Sequence, residues 1–415
     1  MRFRAMFGSE EPVYTLEAFY IEGGVIRMQL CNVSRYVALY PLEYRSLLRR
    51  FNVRAVGEYA MNRVLEFSVS EDALDGLWEV REIPYTERAH RALMRYSFLF
   101  FGSPAGIMNG YDHPDARLYT RELTLIRRTA LMRAGAPRQS LSFMPQYSAH
   151  VDVGQGNCSF VFDSSNAIGI DCSNREVAYL RNPTDYQPKI DNTINRMRLL
   201  QGRTDVPFVL NAFVLTHAHY DHYSGVFEQI RRGYINTQTD FYVNLGYQSQ
   251  SAYYNNLLRF LINNGFNVID ANAQVATPAL TFLAPRAPAV TRGNANEYSV
   301  VSRVATPVGD FVFPGDMVAA GWQRLAPWAS VVQNARYYAA SHHGSVTGIL
   351  PGFFPRAPLG VVLMVRDGAY HNVPDPGTFT PAFCAANNVV DTTALGMQNL
   401  NCYMINLSTG AVTRW

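Results

Sequence analysis

Residues 208–222 read FVLNAFVLTHAHYDH, a largely apolar run of strand length that leads directly into a polar motif. An apolar run of this length predicts a strand that is buried on both faces. The motif that follows places His217, His219, Asp221 and His222 close together, just before residues 224–232, which are predicted to form a helix. Packing alone does not explain such a cluster of imidazoles and a carboxylate, and a solvated histidine-rich loop is the weaker alternative.

The spacing within this motif predicts metal ligands. Residues i and i+2 of an extended segment point the same way, so His217 and His219 can hold one ion. Asp221 and His222, which are turned by the start of the helix, can hold a second ion. Neutral imidazole and carboxylate suit Zn²⁺, Mn²⁺ or iron. We therefore expect two divalent metal ions, with zinc as the expected metal and manganese as the alternative.

Further candidate ligands also follow predicted strands. Asp316 comes after a strand and a glycine, where a carboxylate could bridge two ions. His342 and His343 come directly after the predicted strand at residues 337–340, and His371 follows the predicted strand at residues 361–365. Strands that end in histidine and aspartate loops are typical of a layered sandwich with the metal where the strand ends converge.

Several of these motifs resemble the metallo-β-lactamase fold. The motif at residues 216–222 resembles its signature. Three further stretches resemble the branch that includes the hydrolase domain of competence DNA-uptake proteins and the phosphorylcholine esterases: HVDVGQGN at 150–157, FPGD at 313–316 and SHHGS at 341–345. The segment GNANEYSVV at 293–301 is similar to the asparagine-rich strand entry of that branch.

The resemblance implies a complete ligand set. One metal would be held by His217, His219 and His342. The other would be held by Asp221, His222 and His371, with Asp316 bridging the two. Between the neighbouring histidines we prefer His342 as the ligand, which leaves His343 near the substrate as a proton donor; the sequence alone does not decide between them. The catalytic candidates are therefore Asp221 and His343.

Three other positions match or depart from the family pattern. Asp171, which ends the predicted strand at 167–171, matches the structural aspartate that orients the metal loops. Asn157 stands where an aspartate is usual after the Gly-Gln-Gly turn, and His219 stands where the competence branch commonly has aspartate. Neither departure removes a metal ligand, so catalysis should survive, but both weaken an inference of substrate from that branch.

The fold class we expect is α/β: a metallo-β-lactamase αββα sandwich with an additional mixed α/β N-terminal region. The resemblance covers roughly residues 147–380. Glycine, proline and serine cluster at residues 134–147 after a helical, arginine-rich stretch at 120–133. We therefore predict an N-terminal domain of unknown role at 1–138 and a hydrolase domain at 139–415.

Composition narrows the class of protein. The 415 residues carry a formal net charge of +3, which neither demands nor excludes an anionic partner. Lys189 is the only lysine, a bias that composition alone can explain. The five cysteines lack CxxC spacing, and the N-terminus has no apolar signal segment, so we expect a soluble, cytoplasmic protein with reduced thiols and no membrane association.

The function we expect is a binuclear metal-dependent hydrolase that acts on phosphoester bonds, as a phosphodiesterase or nuclease. Two ions a few ångströms apart can share a bridging hydroxide as the nucleophile. The partner would be a phosphoester substrate, nucleic acid or nucleotide. Two alternatives stay open: hydrolysis of carbon esters, lactones or thioesters on the same metals, and a sensor with a structural metal site that binds a protein partner through its N-terminal domain.

Overall fold

The computed structural model describes most of the chain. The described residues are 13–22, 24–32, 78–86, 99–101, 114–138, 143–154, 156–174, 185–249, 251–273, 277–283, 295–365, 374–391 and 402–415. They form three sheets. The N-terminal one has four antiparallel strands, and their order in the sheet is β3-β2-β1-β4. These strands are β1 (Val13–Glu22), β2 (Val25–Asn32), β3 (Trp78–Pro84) and β4 (Leu99–Phe101).

The second sheet has eight strands and carries the histidine motif. Its strands are β5 (Tyr147–His150), β6 (Cys158–Phe162), β7 (Ala167–Cys172), β8 (Ala212–Val214), β9 (Asp240–Val243), β10 (Asn267–Asp270), β17 (Tyr403–Asn406) and β18 (Val412–Arg414). The order is β10-β9-β8-β7-β6-β5-β17-β18. Strands β7 to β10 are parallel, whereas the other pairs are antiparallel. The carboxyl ends of the parallel strands therefore meet at one edge of the sheet.

The third sheet has six strands in sequence order. They are β11 (Leu280–Leu283), β12 (Val301–Thr306), β13 (Gly309–Phe313), β14 (Tyr337–Ala339), β15 (Gly360–Leu363) and β16 (Val389–Asp391). The first three are antiparallel, and β13 to β16 are parallel.

The two large sheets pack face to face. Their shared core is apolar, with Ile168 and Val214 of the eight-stranded sheet clustered with Phe311, Phe313 and Val362 of the six-stranded sheet. Each sheet buries its other face against helices. This arrangement explains why the strands are apolar on both faces. It also confirms the predicted αββα sandwich.

Eight α-helices complete the described part of the chain. They are α1 (Pro114–Arg133), α2 (Gln187–Leu200), α3 (Tyr220–Tyr223), α4 (Val226–Arg231), α5 (Ala252–Asn263), α6 (Ala319–Arg324), α7 (Ala329–Gln333) and α8 (Pro381–Ala386). Within the described ranges, no helix combines the length and apolar character needed to cross a bilayer.

Most predicted elements are present with shifted ends. The long strand predicted at 208–215 is only three residues long, β8, because the preceding residues approach the sheet as extended chain without ladder pairing. The helix predicted at 224–232 is present as the shorter α4, and a separate helical turn, α3, precedes it inside the histidine motif.

Helix α1 packs against the outer helical layer of the eight-stranded sheet. Ile126 and Ala130 are buried in the same cluster as residues of α5. The Arg127 guanidinium donates to the Leu245 carbonyl at 2.9 Å, and Gly135 N–H donates to Val268 O at 2.8 Å. The stretch predicted as a linker is thus hydrogen-bonded to the sandwich at its start, while the division of the chain at residue 138 stays a prediction.

These contacts predict which truncation the sandwich tolerates. A chain of residues 114–415 should unfold at a higher temperature than one of residues 139–415, because the shorter chain exposes the apolar surface that Ile126 and Ala130 cover. Circular dichroism melts of the two truncated proteins measure this difference. Equal melting temperatures would mean that α1 contributes nothing and that residue 138 is a true domain boundary.

Candidate metal centre

The loop after β8 carries four of the predicted ligands. His217 and His222 are buried, and the Asp221 side chain is 20% exposed. His219 is in an extended conformation at the start of α3, so Asp221 and His222 lie on the first turn of that helix. His217 Nε2 and His219 Nδ1 are 3.0 Å apart, which means that the two rings aim nitrogen atoms at one point. The expected pairing of His217 with His219 is therefore present.

Asp171 fixes the orientation of this loop from the end of β7. Its carboxylate is fully buried and accepts hydrogen bonds from Thr216 N–H at 2.8 Å and from the Thr216 hydroxyl at 2.7 Å. His222 Nδ1 lies 2.7 Å from the same carboxylate, so this nitrogen donates and Nε2 is left to face the site. The geometry matches the structural role that the resemblance implied for Asp171.

Asp316 comes from the opposite sheet, on the turn after β13. One of its oxygens, Oδ1, lies 3.3 Å from His222 Nε2, whereas Oδ2 lies 3.7 Å from His217 Nε2 and 3.5 Å from His343 Nε2. The carboxylate thus stands between the two pairs of ligands from the histidine motif. This is the position that a bridging ligand needs.

The two neighbouring histidines have different surroundings. His343 is buried, and its Nε2 lies 3.3 Å from Asp221 Oδ2, while Nδ1 donates to the Met364 carbonyl at 2.8 Å. His342 is 19% exposed, and its Nε2 is 4.0 Å from Asp316 Oδ2. The His342 ring is engaged by Thr347 Oγ1 at 2.8 Å from Nδ1 and by Asn296 Nδ2 at 3.3 Å from Nε2. The geometry favours His343 as the ligand, because its second nitrogen is held by a backbone carbonyl.

The ligand atoms form two groups that share Asp316. One contains His217, His219 and Asp316, and the other contains Asp221, His222, Asp316 and His343; within each group all ligand atoms lie within 4.8 Å of one another. Ligands bound at 2.0–2.2 Å in tetrahedral geometry are roughly 3.3–3.6 Å apart, close to the distances seen here. Asp316 therefore belongs to both candidate ion sites.

Buried polar atoms support the same conclusion. Among the described residues, His222 Nε2, His343 Nε2 and Asp316 Oδ1 have no hydrogen-bond partner. An unsatisfied buried polar atom costs about 1–3 kcal/mol, so three such atoms that face one another need an explanation. A divalent cation would satisfy all three, and the imidazole and carboxylate donors suit Zn²⁺, Mn²⁺ or iron. The residues present fit a metal.

Burial and neighbouring charges shift the pKa values of the site. Burial and the neighbouring imidazoles lower the pKa of His217 well below its ordinary value, and burial lowers the pKa of His219 to about 4. Burial opposes ionisation of Asp316, but His343 and His222 hold its pKa well below the ordinary range. Burial alone would lower the pKa of His222, yet Asp316, Asp171 and Asp221 raise it well above the ordinary value. The carboxylates thus draw positive charge into the centre.

The motif at 150–157 supports the loop but supplies no ligand. His150 is buried between Ser148 Oγ and Ser159 Oγ, and burial lowers its pKa to about 3. Asn157 N–H donates to the Asp221 carbonyl at 3.1 Å, and a Cβ added to Gly156 would lie 2.6 Å from the same oxygen. The turn therefore needs glycine to approach α3 closely.

The structure does not describe one predicted ligand, and it shows three supporting residues that were not predicted from the sequence. His371 lies outside the described residues, so its assignment to the second metal stays a prediction. Sequence reasoning gave no role to Asn296 or Thr347, which contact His342, or to the Met364 carbonyl, which holds His343. Their only signal was position: Asn296 falls in the asparagine-rich stretch, and Thr347 follows the SHHGS motif by two residues.

Comparison with known proteins gives weak structural likenesses only. No family model matches the chain, and no curated protein matches it. Three of the similar solved structures are the metallo-β-lactamase fold protein YhfI from Bacillus subtilis, the metallo hydrolase Igni18 from the archaeon Ignicoccus hospitalis and the diiron β-hydroxylase CmlA from Streptomyces venezuelae.

Identity to these three proteins is low throughout. YhfI is 10% identical with a TM-score of 0.29, over 47% of this chain and 70% of its own. Igni18 is 15% identical with a TM-score of 0.32, over 65% and 98%. CmlA is 11% identical with a TM-score of 0.29, over 76% and 49%. The αββα sandwich and the histidine and aspartate groups at its strand ends define the class of protein. The resemblance to the competence and phosphorylcholine esterase branch stays a prediction.

The turn before Asp316 gives a prediction about stability. Gly315 has φ +58, and a Cβ added there would lie 2.6 Å from Thr216 Oγ1. Gly315→Ala should destabilise the protein by about 1–2 kcal/mol from the backbone alone, with a further loss from the contact with Thr216. Gly352→Ala is the matched control, because nothing lies within 4 Å of that position. Urea unfolding measures both, and equal midpoints for the two variants would contradict this account of the turn.

The roles of the two histidines give a prediction about metal content. His343→Ala should lower bound metal from two ions per chain towards one, because it removes a donor from one group. His342→Ala should retain both ions, because His342 belongs to neither group. Metal analysis after dialysis, with circular dichroism to confirm folding, distinguishes the variants. Loss of metal from His342→Ala alone would restore the sequence-based assignment.

Proposed function

We propose that this chain is a metal-dependent hydrolase whose two ion sites share Asp316. The observation that carries the proposal is the pair of ligand groups that meet at this one buried carboxylate. Structural metal sites are usually closed and rarely recruit a carboxylate that serves two ions. A shared carboxylate is instead typical of centres in which two ions act on one substrate.

The residues divide between two ions. His217 and His219 would hold one ion, Asp221, His222 and His343 would hold the other, and Asp316 would bridge them. Thr216 and Asp171 position these ligands from behind, because the Asp171 carboxylate holds both the loop backbone and the His222 ring. Partners of this kind fix the ring orientation and the tautomer of a ligating histidine. His342, held by Thr347 and Asn296, lies beside the centre.

The charge of the centre favours an anionic substrate. Asp171, Asp221 and Asp316 supply three negative charges, fewer than the four positive charges of two divalent ions. A loaded centre would therefore attract an anion such as a phosphodiester more strongly than a neutral ester or lactone. When bound, the ion pair supplies an activated water nucleophile and stabilises charge that develops on the leaving oxygen. We infer that a phosphodiester, in a nucleic acid or a small nucleotide, is the substrate class.

The experiment combines a substrate panel with one substitution. The metal-loaded protein should hydrolyse bis-p-nitrophenyl phosphate or a nucleic acid in preference to a lactone, and chelation should abolish the activity. Asp316→Ala should lower turnover by at least a hundredfold and release metal, because it removes a ligand from both groups. Asp310→Ala is the matched control, since that carboxylate pairs only with Arg303 at 2.8 Å on the same hairpin.

Three outcomes would contradict the proposal in different ways. Near-normal turnover in folded Asp316→Ala protein would remove the shared carboxylate from the mechanism. A preference for lactones, carbon esters or thioesters with the same metal dependence would replace the phosphodiester. A folded, metal-loaded protein that hydrolyses neither class, yet binds a protein through residues 1–138, would establish the sensor alternative.

A further inference from the structure

A cavity of about 610 Å³ opens at the opposite end of the eight-stranded sheet from the candidate metal centre. Its walls come from residues just before the parallel strands β7, β8, β9 and β10, whereas the metal-binding loops follow the carboxyl ends of β7 and β8. None of the candidate ligands that the structure describes lines it. The cavity is therefore separate from the metal centre, and any ligand it binds would act without touching the reaction site.

The charge of this cavity is positive. Arg198, Arg203 and Arg232 line it, and no aspartate or glutamate of the described ranges does. Arg232 is neutralised by Asp191 at 2.8 Å and by Glu228 at 2.9 Å. Among the described residues, neither Arg198 nor Arg203 has a carboxylate within 4.0 Å. The two guanidinium groups thus present uncompensated charge to the cavity.

Arg198 is held in place before any ligand arrives. Its Nη2 donates to the carbonyls of Thr204 at 2.6 Å and Val206 at 3.0 Å, and its Nε lies 3.4 Å from the Arg203 carbonyl. Arg203 donates in turn to the Ser165 carbonyl at 2.7 Å. These bonds use some of the N–H donors of each guanidinium and leave others for an anion. Preorganised donors bind more tightly, because less side-chain freedom is lost on binding.

Three aromatic side chains contribute to the rest of the lining. The rings of Phe208 and Tyr234 meet edge to face with centroids 5.9 Å apart, and Phe266 adds a third ring to the lining. Gln238 also contributes to the lining, and a side-chain amide can pair with the edge of a planar heterocycle. An aromatic wall beside two arginines fits a ligand that has both a ring and a negatively charged group.

We propose that this cavity binds a small organic phosphate with a planar ring, of the nucleoside monophosphate class, with Arg198 and Arg203 on the phosphate and the Phe208–Tyr234 wall against the ring. A volume of about 610 Å³ is within the range of small-molecule sites. Arginine suits the phosphate because its planar fork can pair two donors with two oxygens. The inference does not depend on the metal-dependent reaction.

Calorimetric titration with adenosine monophosphate tests the proposal on the full-length protein in the presence of a chelator. One equivalent should bind, more tightly than adenosine or inorganic phosphate alone, because each of these lacks half of the contacts. Binding should also weaken as the salt concentration rises. The chelator removes the metal centre as a competing phosphate site, so failure here and failure of the hydrolase proposal are distinguishable.

Two variants test whether adenosine monophosphate binds in this cavity. Arg203→Gln should weaken binding by about tenfold or more, as expected for the loss of a charged hydrogen-bonding partner. Val206→Trp should block binding by filling the cavity, and it keeps the test valid if the charge variant misfolds. Arg196→Gln is the matched control, since Arg196 lies two residues from Arg198 on α2 but stacks over Trp415 at 4.9 Å outside this cavity.

Each remaining outcome decides against the proposal. The absence of saturable binding by the wild-type protein with chelator would overturn it. Equal affinity in wild-type, Arg203→Gln and Val206→Trp proteins would place the ligand elsewhere. If adenosine bound as tightly as adenosine monophosphate, the phosphate would not contribute to binding, and the proposed role of Arg198 and Arg203 would be wrong.

Discussion

The candidate centre depends first on one buried carboxylate. Asp171 accepts hydrogen bonds from the Thr216 backbone, from the Thr216 hydroxyl and from His222 Nδ1, and it is fully buried at the end of β7. These bonds tie β7 to the loop after β8 and turn His222 Nε2 towards Asp316. Without the carboxylate, the buried Thr216 N–H and His222 ring would lose their partners, and each such loss costs about 1–3 kcal/mol. The geometry of the candidate centre therefore depends on a residue that is not itself a candidate ligand.

The second constraint is that the candidate centre is built from residues of both large sheets' loops. His217 and His222 follow β8 of the eight-stranded sheet, whereas Asp316 follows β13 and His343 follows β14 of the six-stranded sheet. The separation of the two halves is set by the apolar core between the sheets. Interiors are close-packed, so a change of even one methylene in that core shifts its neighbours. Core residues without any polar group thus control the distances between ligands.

The sequence predicted local spacing well and long-range geometry poorly. The candidate ligands at 216–222 could be recognised from the sequence because their spacing is set within one strand and one helical turn. The surroundings of His342 and His343 could not be predicted, because they depend on left-handed backbone at both residues, with φ +50 and +53, and on the Met364 carbonyl. The C-terminal strand β17 was also not predicted, because it pairs with β5, a segment more than 250 residues away in the sequence.

The backbone of the centre is strained as well as constrained. Three of the four described non-glycine residues with positive φ are Asp171, His342 and His343, so the strain is concentrated at this site rather than spread over loops. Left-handed backbone costs about 1–2 kcal/mol per residue, and the unpaired atoms of His222, His343 and Asp316 add to that cost. Core packing must offset this in the metal-free chain. Ions that bind only the folded state would stabilise it by mass action. Metal binding and folding would therefore be linked through the same residues, which would explain how an otherwise costly arrangement can persist.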